Sequence, residues 1–272
     1  ANDRYFDEGP ARVRKIEKPF YMGEIEVSNA QIRTVLKNHH SGWLDRHYKD
    51  HTHEGIPING DELSAVRVSL AEAEKFCEIL SSRLGVKVSI PTEEQWEWAA
   101  RAGTDGQYWF GGGDYSKFEN LSDVNTKKFA EALAVRKKLD KNGKEVGIMY
   151  DLLPQKNPTK FETFIPRDDF ADDGNQVVCA GGQYKPNAFG LYDMLGNVAE
   201  WTRSPYTETL GGKVVEPLKY VARGGSWRDR LKIARVTYRR DFFKWQRVYN
   251  VGFRVVIEDA QAAAQFATES AK

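Results

Sequence analysis

The chain has 272 residues, 40% of them hydrophobic and 29% charged, as in ordinary soluble globular domains. Forty basic residues stand against 39 acidic ones, so a net charge of +1 gives no bulk pull toward nucleic acid or an anionic membrane. No apolar run approaches the roughly 20 residues that span a bilayer as a helix.

Residue 1 is Ala rather than Met. A small residue there matches the product of signal-peptide cleavage and gives an expectation of export, with trimming of another kind as the alternative. Aromatic residues make up 12% of the chain. That richness suits a loop-heavy fold with a core of large flat side chains, and it also suits a surface that stacks on sugars. Residues 11–29 read as extended, with Glu24 and Glu26 alternating with Ile25 and Val27. A helix is predicted from about 29 to 37. Ser69 with Glu72 forms a capping box ahead of Ala73, Phe76, Cys77, Leu80 and Leu84 at helical spacing, and Gly85 is placed to end that helix. Cys77 falls on its apolar face, so a buried thiol is expected. A short strand, 86–90, follows. Thr92 with Gln95 opens another helix, through about Arg101, and Gly103 stops it. Residues 127–139 read as helical and basic, and the 127–145 stretch is either an amphipathic helix with Phe129, Leu133 and Leu139 inward or a basic surface for an acidic partner or sulfated glycan. Asp140-Lys141-Asn142-Gly143 reads as a turn. From 187 to 258 the chain is rich in glycine and aromatics with short strand-like pieces. Few helices, short strands and much irregular chain point to α+β, with residues 1–258 as a single domain and 259–272 as a frayed tail.

Four segments carry a family likeness. They are Phe20–Gln31 (FYMGEIEVSNAQ), Pro91–Thr104 (PTEEQWEWAARAGT), Asn187–Thr202 (NAFGLYDMLGNVAEWT), and Arg223–Trp227 (RGGSW) with Val251–Arg254 (VGFR). In this order and spacing they resemble the formylglycine-generating-enzyme-like, or sulfatase-modifying-factor, family. The resemblance implies an irregular C-type-lectin-like fold, low in regular secondary structure and often stabilised by calcium. It implies a first calcium loop with Asp193 and Glu200 as side-chain ligands and Gly196 and Val198 as carbonyl ligands. It implies a second from Asn120, the Leu121 carbonyl, Asp173 and the Asn175 carbonyl. Calcium takes six to eight oxygens, and a glycine-bearing loop can turn carbonyls inward between carboxylates. The alternative for Asp193 and Glu200 is hydrogen bonding to loop amides.

The family's oxidase holds copper on two cysteines just after the GGS segment. The matching positions here are Asp229 and Ala234. Copper(I) favours soft thiolates, so copper and formylglycine generation are not expected. Cys77 and Cys179 match neither position. All five histidines lie between 39 and 53, and His47, His51 and His53 form a candidate transition-metal set or belong to a polar surface loop. Trp227, Arg228, Asp229, Arg239 and Trp245 form a candidate binding groove for a protein or glycan ligand outside the cytoplasm. Arg235 and the run Arg239-Arg240-Asp241 either line that groove or pair with carboxylates at the core rim. Asp229 and Tyr238 are the catalytic candidates. Three readings follow: a pseudoenzyme used for binding or assembly, an enzyme of different chemistry on the same scaffold, or a sulfatase-maturation factor working through another residue set.

Overall fold

A computed structural model describes residues 5–44, 50–51, 56–126, 136–149, 166–210, 212–214 and 218–259. In chain order the regular elements are β1 (Tyr21–Met22), α1 (Asn29–Arg33), β2 (Trp43–Leu44), β3 (Asp50–His51), β4 (Ile56–Pro57), α2 (Leu70–Leu84), β5 (Val88–Ser89), α3 (Glu93–Arg101), β6 (Arg136–Leu139), β7 (Glu145–Met149), β8 (Ala199–Pro205), β9 (Lys219–Arg223), β10 (Arg240–Phe243), β11 (Val251–Gly252) and β12 (Val256–Ile257).

The helices form where the caps place them. Each of α1, α2 and α3 opens on a capping box, in which the N-cap and N3 amides both find side-chain acceptors. The Glu72 amide donates to Ser69 Oγ at 3.3 Å, and the Ser69 amide donates back to Glu72 Oε2 at 3.0 Å. α2 ends at Gly85, whose φ of +69° is the left-handed conformation glycine adopts without strain. Its inner face carries Leu70, Ala73, Phe76 and Cys77, all buried. Burial pushes the Cys77 thiol up to about 12, so it is a packed apolar group. In α3, Thr92 and Gln95 make the same reciprocal cap, Trp96 is fully buried and Trp98 is half exposed.

Among the described residues, four small sheets hold the irregular chain. β10, β9 and β8 are antiparallel, and β11 lies parallel to β8. β12 pairs with both β1 and β5, which ties the two ends of the described chain together. β2 sits between β3 and β4, and β6 forms a hairpin with β7. Three buried clusters fill the space between. One centres on Phe76, Trp201 and Phe253, one on Trp96, Tyr115 and Met194, and one on Trp227, Val198 and Leu44.

Three expectations need correction. The helix read over 127–139 does not hold at its end, because Arg136–Leu139 is a strand and residues 127–135 lie outside those described. The predicted Asp140–Gly143 turn explains this. Asp140 Oδ1 accepts the amides of Asn142 and Lys144 at 2.8 and 3.0 Å, Gly143 has a φ of +79°, and the chain folds back into β7. Within residues 11–29 the only strand is the two-residue β1, with an isolated bridge at Ser28 and the start of α1 at Asn29, and Glu26 and Val27 are both buried. The strand alternation fails there because the chain turns into α1 and Glu26 meets Asn197 and Ser64. α1 itself stops at Arg33. The predicted tail lies outside the described residues from 260 onward.

Gly252 in β11 passes against Ala65 so closely that a Cβ would collide with the Ala65 carbonyl and crowd Val198. Gly252→Ala should therefore destabilise the fold by about 2 kcal/mol or more, as an overpacked site with backbone on the opposing side. Equilibrium denaturation checks this, and a change within about 0.5 kcal/mol would contradict the packing described.

Candidate functional site

The loop ahead of β8 is bent tightly: Asp193 and Asn197 have φ of +57° and +54°, conformations uncommon for residues with a Cβ. Gly196, between them, lies where a Cβ would come within 2.6 Å of the Asn120 carbonyl. The Asn197 amide donates to that carbonyl at 2.8 Å. The two loops expected to bind calcium are thus packed against each other.

Behind them lies a buried charge centre. Arg254 and Glu200 are fully buried. Arg254 Nε donates to the Glu200 oxygens at 2.9 and 2.8 Å, and Nη2 donates to Oε1 at 2.7 Å. The remaining guanidinium hydrogens reach the carbonyls of Gly23, Glu24 and Tyr192. All five donors of the arginine therefore have acceptors. Glu200 Oε2 also accepts the Trp96 indole N–H at 2.8 Å. Glu200 is accordingly the partner of Arg254, which is a different use from the calcium ligand expected of it.

Three further buried carboxylates surround this pair: Glu26, Glu119 and Asp193. Burial and like-charge neighbours push Glu26 and Glu119 well above the usual carboxylate range and Asp193 up to about 6. Asp193 Oδ2 accepts the Gly182 amide at 2.7 Å, while its Oδ1 is buried with no hydrogen-bond partner. In the second loop, Asp173 accepts the amides of Leu121 and Asn175, each at 2.8 Å, and burial with acidic neighbours raises it to about 7. Asn120 Oδ1 is buried without a partner. Each expected calcium loop thus keeps one side-chain oxygen of its ligand set unpaired in the interior, which fits a hard cation. Among the described residues no three His, Cys, Asp or Glu side chains form a metal cluster, so an ion at these loops must draw on carbonyl and amide oxygens as well.

The positions that hold sulfur in the oxidases do something else here. Ser226 Oγ donates to Asp229 Oδ2 at 2.7 Å, Arg240 pairs with Asp229 Oδ1, and Asn250 donates to Ser226 Oγ at 2.8 Å. Asp229 is almost fully buried and Ala234 entirely so. Tyr238 gives its carbonyl to Arg223 at 2.8 Å, and its ring packs on Tyr5 and the guanidinium groups of Arg235 and Arg240. Arg240 thus bridges the two catalytic candidates, pairing with the Asp229 carboxylate and lying over the Tyr238 ring, and each is held by further structural contacts of its own.

The five groove residues do not form one open surface. Trp227, Asp229 and Arg239 are buried, Arg228 is partly covered, and Trp245 is 67% exposed and stacked on Phe243. The physical reason is pairing: Arg239 makes a bidentate bond with Glu93 at 2.6 and 3.1 Å, and Trp227 packs in a cluster with Val198 and against Tyr249. Arg235, Arg239 and Arg240 follow the carboxylate-pairing alternative, on Glu8, Glu93 and Asp229. Of the histidine set, 47 and 53 lie outside the described residues, and of His51 only the backbone pairing with Trp43 is described. His39 lies partly buried near Ser41, and His40 Nδ1 accepts the Gly42 amide at 2.9 Å.

Sequence reading did not single out Glu26, Glu119 or Glu8. Glu26 and Arg254 stand inside quoted motifs, and an arginine closing an otherwise apolar VGFR run was the available signal for a buried ion pair. Glu8 takes the Tyr5 amide at 3.0 Å, but its counter-charge Arg235 lies 227 positions away, and Glu119 takes the Trp109 indole N–H at 2.6 Å across ten positions of irregular chain, so neither burial was legible locally.

The architecture and the paired loops define a lectin-like scaffold of the formylglycine-generating-enzyme type. The chain belongs to the sulfatase-modifying factor enzyme 1-like domain family, which it matches over residues 1–259. It is 30% identical to the inactive C-alpha-formylglycine-generating enzyme 2 of Bos taurus over 200 residues, 71% of this chain and 50% of that protein. It is 23% identical to the formylglycine-generating enzyme of Mus musculus over 238 residues, 74% of this chain and 52% of that protein. The chain spans about half the length of these curated relatives. Among solved structures, PvdO from Pseudomonas aeruginosa superposes with a TM-score of 0.68 at 22% identity, covering 95% of this chain and 87% of that one. Treponema denticola variable protein 1 gives 0.59 at 18%, covering 88% and 84%. Both share the fold.

Removing one partner of the central pair should be severe. Arg254→Met leaves Glu200 buried without its counter-charge, at a cost of about 3–5 kcal/mol, read by denaturation. A loss below about 1 kcal/mol would show that the pair is not the anchor. His39 gives a pH signature. Burial lowers its pKa from 6.5 to about 4, so the unfolded chain binds the proton more tightly. Its contribution is full above pH 6.5 and is lost as pH falls toward 4. After discounting for partial exposure, acidification from pH 7 to 5 should remove about 1 kcal/mol through this group. His39→Asn should flatten that part of the stability profile, and an unchanged slope would contradict it.

Proposed function

We propose that this chain is a non-catalytic binding module of the sulfatase-modifying factor family, stiffened by calcium and used outside the cytoplasm for recognition or assembly. The observation that carries the reading is the state of the two former copper positions. A carboxylate fixed between Ser226 and Arg240 and a buried methyl group offer no thiolate to copper(I) and none to a substrate cysteine. Both cysteines present are buried, and burial pushes the Cys77 thiol up to about 12 and the Cys179 thiol further, so neither supplies a reactive thiolate. The bovine and mouse inactive relatives, which lie at 30% identity, support the same reading.

Calcium is supported by the unpaired buried oxygens of Asp193 and Asn120 and by the excess of buried carboxylates over Arg254. A bound cation would hold Asp193 ionised and join its loop to the 120–121 segment.

Two measurements on the same protein test this. Native mass spectrometry in millimolar calcium should show one or two calcium ions and no copper, and chelation should lower the melting temperature by several degrees. Oxygen uptake with copper and a cysteine-bearing sulfatase peptide should stay at background. Sustained turnover there would overturn the non-catalytic reading.

A further inference from the structure

The N-terminal residues of the described chain make an unusual set of contacts. Glu8 is buried to 1% exposure close to the N-terminal end of the described chain. One of its oxygens pairs with Arg235, itself 1% exposed, and the other accepts the Thr237 hydroxyl at 2.5 Å. Asp7 Oδ2 accepts the Tyr206 hydroxyl at 3.1 Å, and the Asp7 carbonyl accepts Arg239 Nη1 at 2.9 Å. The Leu210 amide donates to the Gly9 carbonyl at 2.9 Å. The Tyr5 ring meets Tyr238 edge-on at 5.5 Å, with Arg235 beneath both rings. These polar and ring contacts run to two stretches, 206–210 and 235–239.

What joins this segment to the rest of the chain is different in kind. Residues 10–15 and 17–19 are exposed, and Val13 is fully so. On this tether Arg14 pairs with Glu94 at 3.8 Å, with both side chains exposed. Such a tether can lift without unfolding what lies beneath it. Under it the chain leaves a cavity of about 470 Å³, walled by Ala11, Arg14 and Ile16 on one side and by Glu94, Trp98 and Leu210 on the other. A core segment packs down to van der Waals contact, but this one is anchored at its end and stands off along its length.

We propose that stretches 206–210 and 235–239 form a recognition cleft for an acidic peptide with adjacent carboxylates behind an aromatic residue, and that Tyr5–Gly9 fills it in cis as a displaceable mimic. The proposal rests on the reading of the chain as a binding module and names the ligand class of that module. The charge complementarity is specific. Arg235 takes the second carboxylate with help from Thr237, and Tyr206 takes the first. Arg239 is held by Glu93 and reads the backbone carbonyl, and the Tyr238 face takes the aromatic ring. The cavity beside the tether gives a longer peptide room to continue.

A fluorescent peptide of residues 5–12 titrated into the full chain tests this by anisotropy. The tethered copy competes at high effective concentration, so the wild-type chain should bind the peptide weakly. The full-length Glu8→Gln chain should bind it at least tenfold tighter, because its own segment holds less well. The same peptide carrying Glu8→Gln should bind that variant at least tenfold more weakly than the unmodified peptide, because a charge-assisted bond is lost. No binding to either chain, equal binding of the two peptides, or anisotropy rising only with dimerisation of the chain would each overturn the proposal. If Glu8→Gln fails to fold, hydrogen exchange on the wild-type chain decides. The Glu8 and Gly9 amides should exchange at least tenfold faster than those of α2 and faster still with excess peptide, and rates equal to α2 would refute a detachable segment. Copper-dependent oxygen uptake would sink the binding-module reading alone, whereas failure of peptide exchange would sink only the cleft.

Discussion

The structure depends on one buried ion pair. Arg254 and Glu200 lie fully inside the domain, and taking two such charges from water costs several kcal/mol each before any attraction is counted. The geometry offsets that cost, since every donor of the arginine has an acceptor and the glutamate also takes the Trp96 indole. The contacts reach the segment before α1, the loop before β8, β8 itself and helix α3. A chain with so little regular structure has few ladders to fix its loops. Here one guanidinium ties two of them, at Gly23–Glu24 and at Tyr192, to strand β8.

The same logic recurs around the rim. Arg223 pairs with Glu93 and Glu97 under the Trp96 face, Arg239 takes Glu93 in a fork, and Arg235 takes Glu8. Arginine suits these places because its planar fork matches a carboxylate and its face stacks on aromatic rings. The richness in aromatic residues is thus a core property in large part, with Trp96, Trp201 and Trp227 buried and each in a different cluster. Trp98, Phe189 and Trp245 remain at the surface, with Trp98 and Phe189 in contact at 4.8 Å.

Residue 229, where the resemblance would place sulfur, is closely packed. Asp229 is built into a buried network with Ser226, Arg240 and Asn250, and the interior at 234 is closed by a methyl group. A residue held on both oxygens by structural partners is poorly placed to move a proton to a substrate. The family fold is present while residues 229 and 234 belong to its packing, as a fold and the chemistry of a site are separable.

The sequence by itself determined the elements whose signals are local. The capping boxes at Ser69 and Thr92, the stop at Gly85, the turn at Asp140–Gly143, the buried Cys77 and the family motifs were all legible, because caps, turns and helical periodicity act over a few residues. The absence of sulfur at 229 and 234 was legible for the same reason. Tertiary structure alone decided which charged residues go inside. Motif position put Trp227 and Arg239 on a surface, yet both are buried, and Glu26 and Glu200 are buried with partners distant in sequence. Glu8 meets Arg235 across 227 positions, a distance over which no local pattern carries information. Burial of a charge is set by whether a counter-charge arrives, and only the folded chain brings the two together.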